Sequence, residues 1–259
     1  MRILFFGDVF GKPGRQLVIG NLPALINKHE VDFVLANCEN LADGRGVTEK
    51  TLKQLIRFGV DGFTSGNHLW DREESFAFIA EEPKLTKPLN FPKKALGNRS
   101  YIMEKNGKKL EIITLCGQVY MPPANSPFEA FDEFWESRDQ SIPLLVDFHG
   151  ESTAEKRAFA WYVDERASAL LGTHTHVQTA DEEILPGGTA YITDVGMTGG
   201  HDSVIGVKKD IILQKMTTAM PIRYETSYRG TRINAVLVDI DETTNRATSI
   251  TRINTPIEV

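Results

Sequence analysis

Residues 167–176 read ASALLGTHTH: an apolar run that ends in two histidines separated by one threonine. A short apolar stretch bounded by glycine and polar residues has the pattern of a buried strand. Taken alone, His174 and His176 are either metal donors or two polar residues closing that strand. The other strand ends decide between these readings. Asp8 follows ILFFG, Glu39 and Asn40 follow DFVLANC, Asn67 and His68 follow GFTSG, and His149 follows PLLVDF. In open α/β sheets, ligands bind outside the carboxyl ends of the strands. Five strand ends carrying oxygen and imidazole donors therefore point to one place.

Outward from these ends, strand-like and helix-like patterns alternate, which predicts an α/β fold. RILFF (2–6) reads as a buried strand, followed by the glycine-rich turn GDVFGKPG. A helical pattern covers roughly residues 15–28, with Pro23 expected to kink or split it. VDFVLAN and VDGFTSG are strands, and TEKTLKQLIRFG between them is a helix with Gly59 as its cap. Residues 101–117 form a hairpin turning at Asn106-Gly107. IPLLVDFHG is a strand, and a helix follows it, opened by a capping box of Ser152 with Glu155. TAYITDVG is a further strand, and residues 233–253 read as a closing hairpin.

Length and composition bound what such a chain can be. With 259 residues, 41% hydrophobic and 25% charged, it is ordinary globular material with ample core. A net charge of -6 argues against broad nonspecific nucleic-acid binding. Cys38 and Cys116 both lie in apolar runs and cannot build a disulfide framework, so a reducing, cytoplasmic compartment is expected. The apolar run in MRILFFGD is too short for a secretory signal. No segment approaches the roughly 18 apolar residues of a membrane span, so no membrane partner is expected.

Mixed carboxylate, amide and imidazole donors suit manganese, iron, zinc or a similar divalent ion. Asp8, Glu39, Asn40, Asn67, His149, His174 and His176 are too many for one tetrahedral ion. Two ions sharing a carboxylate fit better, and such a pair clamps an in-line displacement at phosphorus. Four positive charges less Asp8, Glu39 and a hydroxide leave ~1 positive charge, which attracts a phosphodiester.

Several strings resemble the calcineurin-like metallophosphoesterase superfamily: GD after the first strand, GNH after the third, a lone histidine after a later one, and GTHTH. The superfamily's first motif carries a histidine where Phe10 stands here, and its bridging aspartate is replaced by the string NCEN. Both departures fit the YmdB-like phosphodiesterase branch. GDVFGKPGR, ENLADGRGVT, GNHLWD, VDFHGESTAEK, GTHTHVQTADEEILPGGTAYITDVGMTGG and DSVIG resemble that branch along nearly the whole chain. The resemblance implies a two-sheet sandwich flanked by helices (α/β/β/α), as one domain over residues 1–259. It implies that Glu39 bridges two divalent metals, iron or else manganese. Asp8, Asn40 and His176 would complete one site, with Asn40 in place of the missing histidine. Asn67, His149 and His174 would complete the other. His68 would stand beside the substrate as general acid. The implied reaction is hydrolysis of cyclic nucleotides, notably 2′,3′-cyclic ones, by a metal-bridging hydroxide. RNA ends are a further substrate class under this reading, and a homo-oligomer is expected.

Other residues carry balanced readings. Arg45, in the glycine-rich ADGRGVT, either reaches a substrate phosphate or is an exposed loop arginine. Asp194 and Thr198 are candidates to support metal-bound histidines. His29 reads as a solvated helix end and His201 as lying outside the ligand set. Phe128, Phe131, Phe134 and Trp135, at helical spacing, read as a packing or subunit-contact face. Two competing functions use the same residues: a metal- and nucleotide-binding regulator, and a phosphatase of another small phosphoester. An amidohydrolase would place His-x-His after its first strand, which here ends in Asp8.

Overall fold

Side-chain alternation in the strands divides the core into layers. The structure, a computed structural model, describes residues 1–257. In order the elements are β1 (Arg2–Phe6), β2 (Asp8–Val9), α1 (Gly11–His29), β3 (Phe33–Asn37), α2 (Glu49–Arg57), β4 (Gly62–Thr64), α3 (Phe76–Glu81), β5 (Ser100–Lys105) and β6 (Lys108–Cys116). They continue with α4 (Pro127–Ser137), β7 (Leu144–His149), α5 (Thr153–Val163), β8 (Ala169–Thr173), β9 (Glu183–Ile184), β10 (Ala190–Ile192), β11 (Met197–Gly200), α6 (Lys209–Thr218), β12 (Thr231–Ile240) and β13 (Ala247–Pro256). Ile3 and Phe5 of β1 face one way, and Leu4 and Phe6 the other, as the two-residue period of a strand requires.

Two sheets result. The first has the order β2-β11-β12-β1-β3-β4, with β13 also paired to β12. The second runs β5-β6-β7-β8-β10-β9. Ile3, Phe5, Phe33, Leu35, Val236 and Val238 of the first sheet meet Leu110, Ile112, Leu145, Ala169, Leu171 and Ile192 of the second. On the first sheet's outer face, Leu4, Phe6, Val34 and Phe63 pack on Leu17, Val18 and Leu22 of α1, Leu52 and Leu55 of α2, and Ile79 of α3. On the second sheet's outer face, Val146, Phe148 and Leu170 pack on Phe131 and Phe134 of α4 and Phe159 and Val163 of α5. The architecture is the expected α/β/β/α sandwich, with hydrophobic burial driving each of the three interfaces.

Parallel pairing aligns the ends that matter. β1, β3 and β4 run parallel in the first sheet, and β6, β7, β8 and β10 in the second. Their carboxyl ends open on one edge of the sandwich. The 100–116 hairpin pairs Lys105 with Lys108 across Asn106 (φ 53) and Gly107 (φ 77), the left-handed pair a type I′ turn requires.

Two local expectations are corrected. α1 begins earlier, at Gly11, and is not split at Pro23. Pro23 is exposed and Ile19, whose carbonyl loses its partner, is half-buried, so water can take the place of the missing N–H. The capping box at α5 is only half made. Ser152 accepts from the Glu155 amide at 3.4 Å, but the Glu155 carboxylate turns away to the amides of Gln118 and Val119 at 2.8 and 3.2 Å. The reciprocal box forms instead at α2, between Thr48 and Thr51.

The aromatic face of α4 is used inside the chain. Phe128 meets Phe159 and Tyr162 edge-on, and Phe131 meets Phe159. It is a packing face, so it gives no ground for a subunit contact. No helix among the described residues is long and apolar enough to cross a membrane.

Candidate metal centre

The donors predicted at five strand ends are brought together at the carboxyl edge of the sandwich. Asp8, Glu39, Asn40 and Asn67 come from the first sheet, and His149, His174 and His176 from the second. Glu39 is buried. One carboxylate oxygen lies 3.1 Å from His149 Nε2, and the other accepts the His68 amide at 2.9 Å. His174 Nδ1 lies 3.1 Å from the same His149 Nε2. Glu39, His149 and His174 thus form a group that could hold a metal ion. Asp8 and His176 lie alongside, with Asp8 Oδ1 3.9 Å from His176 Nε2.

Each imidazole is oriented by what its other nitrogen meets. His149 Nδ1 faces Thr173 Oγ1 at 2.8 Å, and that hydroxyl donates to Asp147 at 2.6 Å. Asn37 donates to the second Asp147 oxygen at 2.8 Å. His176 Nδ1 faces the Ile205 carbonyl at 3.0 Å. His174 Nε2 lies 3.2 Å from Glu151. These contacts leave His149 Nε2, His176 Nε2 and His174 Nδ1 facing the basin.

The backbone between the histidines is strained to allow this. His174 has φ 100 and His176 φ 65, in the left-handed region that non-glycine residues rarely occupy. The His174 amide donates to Asp8 Oδ2 at 3.1 Å, and the Thr175 amide to Asp194 at 3.0 Å. Asp194 is itself paired at 2.8 Å with the fully buried Lys156, whose ammonium also donates to the Thr173 carbonyl. Asp194 therefore supports the histidine loop through its backbone. Thr198 faces away, donating to the Asn234 carbonyl.

Among the described residues, seven buried side-chain atoms lack any hydrogen-bond partner, and three of them are Asp8 Oδ1, Asn40 Oδ1 and Asn67 Oδ1. Leaving a buried acceptor unpaired is costly, and these three gather beside the imidazoles of His149, His174 and His176, an arrangement that a bound cation would satisfy. Gly66 fits the same picture: a Cβ there would sit 2.4 Å from both Glu39 Oε2 and the His149 ring.

The electrostatics agree. Burial raises the Asp8 carboxyl above its usual range, with His176 and His149 opposing it. Burial would also raise Glu39, but His149 outweighs it and holds Glu39 down at about 2. His149 itself is penalised by burial yet is held up at about 9 by Glu39 and Asp8. The carboxylates of the basin thus favour positive charge within it, and the same potential favours a metal cation. Burial and the neighbouring His149 push His174 down to about 3, which leaves it neutral as a ligand must be.

His68 stands apart from the ligand group. Its Nδ1 lies 2.8 Å from Asp71, which also pairs with Arg45 at 2.9 Å. Arg45 is 65% exposed and lines the cavity with His68, so it can reach a bound anion. His29 and His201 lie elsewhere; His201 faces the Met197 carbonyl. Asp147, Thr173, Glu151, Asp71, Lys156 and Ile205 escaped the sequence reading. Asp147 carried one usable signal, a carboxylate two residues before His149 in an otherwise apolar strand, hence on the same face.

A four-layer sandwich that gathers carboxylate, amide and imidazole donors at the ends of its parallel strands defines a protein of the metallophosphoesterase type. The chain belongs to the YmdB-like family, whose model matches residues 4–253. It is 46% identical over 254 residues to the 2′,3′-cyclic-nucleotide 2′-phosphodiesterase of Bacillus subtilis (strain 168), covering 98% of this chain and 96% of that one. A hypothetical protein of Thermus thermophilus has a crystal structure with TM-score 0.93, 37% identity and 99% coverage of both chains. A novel phosphatase of Mycoplasma pneumoniae gives TM-score 0.93 at 35% identity, covering 99% of this chain and 93% of that one.

Proposed function

We propose that this protein is a dinuclear metal-dependent phosphodiesterase acting on 2′,3′-cyclic nucleotides. The observation that carries the metal is the set of orphaned oxygens of Asp8, Asn40 and Asn67 facing three oriented imidazoles. The 46% identity to the Bacillus subtilis enzyme over 98% of the chain supports the substrate class. Asp8, Asn40 and His176 would hold one ion and Asn67, His149 and His174 the other, with Glu39 serving both. When bound, two divalent ions supply Lewis acidity and activate water near neutral pH.

The remaining chemistry belongs to side chains. Asp71 holds His68 by Nδ1, which leaves Nε2 to face the cavity and protonate the departing ribose oxygen. Arg45, anchored by Asp71, meets a phosphate oxygen at the cavity rim. Neutral Asn40 and Asn67 keep the ligand set from accumulating negative charge, so an anionic diester is not repelled.

The test is steady-state turnover of 2′,3′-cyclic and 3′,5′-cyclic nucleotides by protein reconstituted with iron or manganese. Turnover of the 2′,3′-cyclic substrate, lost on chelation and restored by metal, is expected. Equal and negligible turnover of both in metal-replete protein would reject the reading.

A further inference from the structure

The cavity over the candidate metal centre, about 530 Å³, has two unlike sets of lining residues. One is polar and carries Glu39, Asn40, Arg45, His68 and the histidine pair. The other is apolar, formed by Phe10, Ile205, Val207 and Tyr224. Apart from Phe10, this second wall comes entirely from the excursion between β11 and β12, which adds no strand to either sheet.

Its central feature is a two-residue hairpin. Val204 and Val207 exchange hydrogen bonds at 2.8 and 3.1 Å, across Ile205 at φ 45 and Gly206 at φ 100. A turn with both central φ values positive strongly prefers Asn-Gly. A β-branched residue at positive φ is a genuine outlier. The Ile205 carbonyl has a use, since it orients His176, but an asparagine would present the same carbonyl with less strain. Core packing does not explain the side chain either, because Ile205 is 52% exposed. The exposed side chain lines the cavity, where it can contact a bound molecule.

Neighbouring residues complete the wall. The Phe10 ring is buried between Gly44 and Gly206, where added Cβ atoms would lie 2.4 and 2.7 Å from it. Tyr224 is 47% exposed, and its hydroxyl is held by Lys215 at 2.5 Å. An aromatic ring and an exposed aliphatic tip lining the same cavity as Arg45, His68 and the histidine pair suit a flat apolar ring joined to an anion.

We propose that Ile205, Val207 and Tyr224 form a nucleobase subsite that makes the enzyme prefer nucleoside cyclic phosphates to base-free diesters. This rests on the phosphodiesterase reading above. Stacking on one aromatic ring contributes about tenfold in binding per base. The test compares kcat/KM for adenosine 2′,3′-cyclic phosphate with that for the 2′,3′-cyclic phosphate of 1-O-methylribose, which has no base. In Tyr224→Ala the ratio of the two should fall about tenfold, through KM for the nucleotide. In Ile205→Asn it should fall a few-fold while the melting temperature stays at or above wild type, because an Asn-Gly turn is relaxed. A ratio unchanged in both variants, or a Tyr224→Ala that alters only the mass by light scattering, would overturn the subsite. If the wild type turns over neither substrate, the phosphodiesterase reading fails, and calorimetry decides the subsite. Wild type should then bind adenosine 3′-phosphate more tightly than inorganic phosphate, and Tyr224→Ala should lose that difference. Equal affinities in the wild type would reject it.

Discussion

His68 is the residue that separates catalysis from binding. Its amide is tied to Glu39 and its Nδ1 to Asp71, and the proposed function places its ring outside the ligand set. Replacing it by alanine should lower kcat on the order of 10²–10⁴-fold, the usual contribution of a general acid. Metal content should stay normal, and the loss should shrink for a nitrophenyl ester, whose leaving group needs little protonation. A lost metal, or an equal defect for good and poor leaving groups, would make His68 a ligand or a phosphate-positioning group. Gly66 gives the converse case. A methyl group there would lie 2.4 Å from Glu39 Oε2 and His149, both of them buried and neither able to retreat far. Gly66→Ala should therefore lose metal and activity together, with circular dichroism near that of the wild type; full metal occupancy in this variant would contradict the geometry.

At the scale of elements, legibility followed the physics of each signal. Strands β1, β3, β4, β7 and β8 were readable because burial on both faces makes them continuous apolar runs. Their donors were readable because polar residues stand out directly after such runs. The supporting shell was not, since Thr173, Glu151 and Lys156 look like ordinary strand, loop and helix residues until the sheets are stacked. Glu155 misled for the same reason: its position matches a capping box, while its carboxylate serves the loop at 118–119. The start of β3 offers a test of one such tertiary choice. Asp32 accepts the Arg2 amide at 2.7 Å and the Lys108 ammonium at 2.9 Å, joining three segments. Burial alone would raise its carboxyl, but these partners hold it below the usual 3.8. A depressed folded pKa adds stability above the unfolded value, and that stability is lost as pH falls through the folded one. Asp32→Asn should thus cost about 1 kcal/mol or less at pH 7 by urea denaturation, and the difference from wild type should close below the usual 3.8. A difference that persists or widens in acid would mean that packing, not charge, is what Asp32 contributes.

The whole molecule places its candidate ligands across the seam between two sheets. Asp8, Glu39, Asn40 and Asn67 stand on one sheet and His149, His174 and His176 on the other, so bound ions would staple the sandwich together. That edge carries three buried oxygens with no protein partner and a histidine loop at positive φ, both of which bound ions would relieve. Metal should therefore act on global stability as well as on turnover. Binding to the folded state alone adds about 2.7 kcal/mol at a free metal concentration of a hundred times Kd. For a chain of this size that corresponds to roughly 5–10 °C in melting temperature. Chelated protein titrated with manganese should rise by about this amount, reaching a plateau at about two ions per chain by elemental analysis. In Glu39→Gln the shift should nearly vanish, because Glu39 in the proposed bridging position would serve both ions, whereas His176→Ala should keep part of it and bind about one. A single ion per chain with full activity would eliminate the dinuclear centre. A thermal shift as large in Glu39→Gln as in the wild type would place the metal somewhere other than the seam.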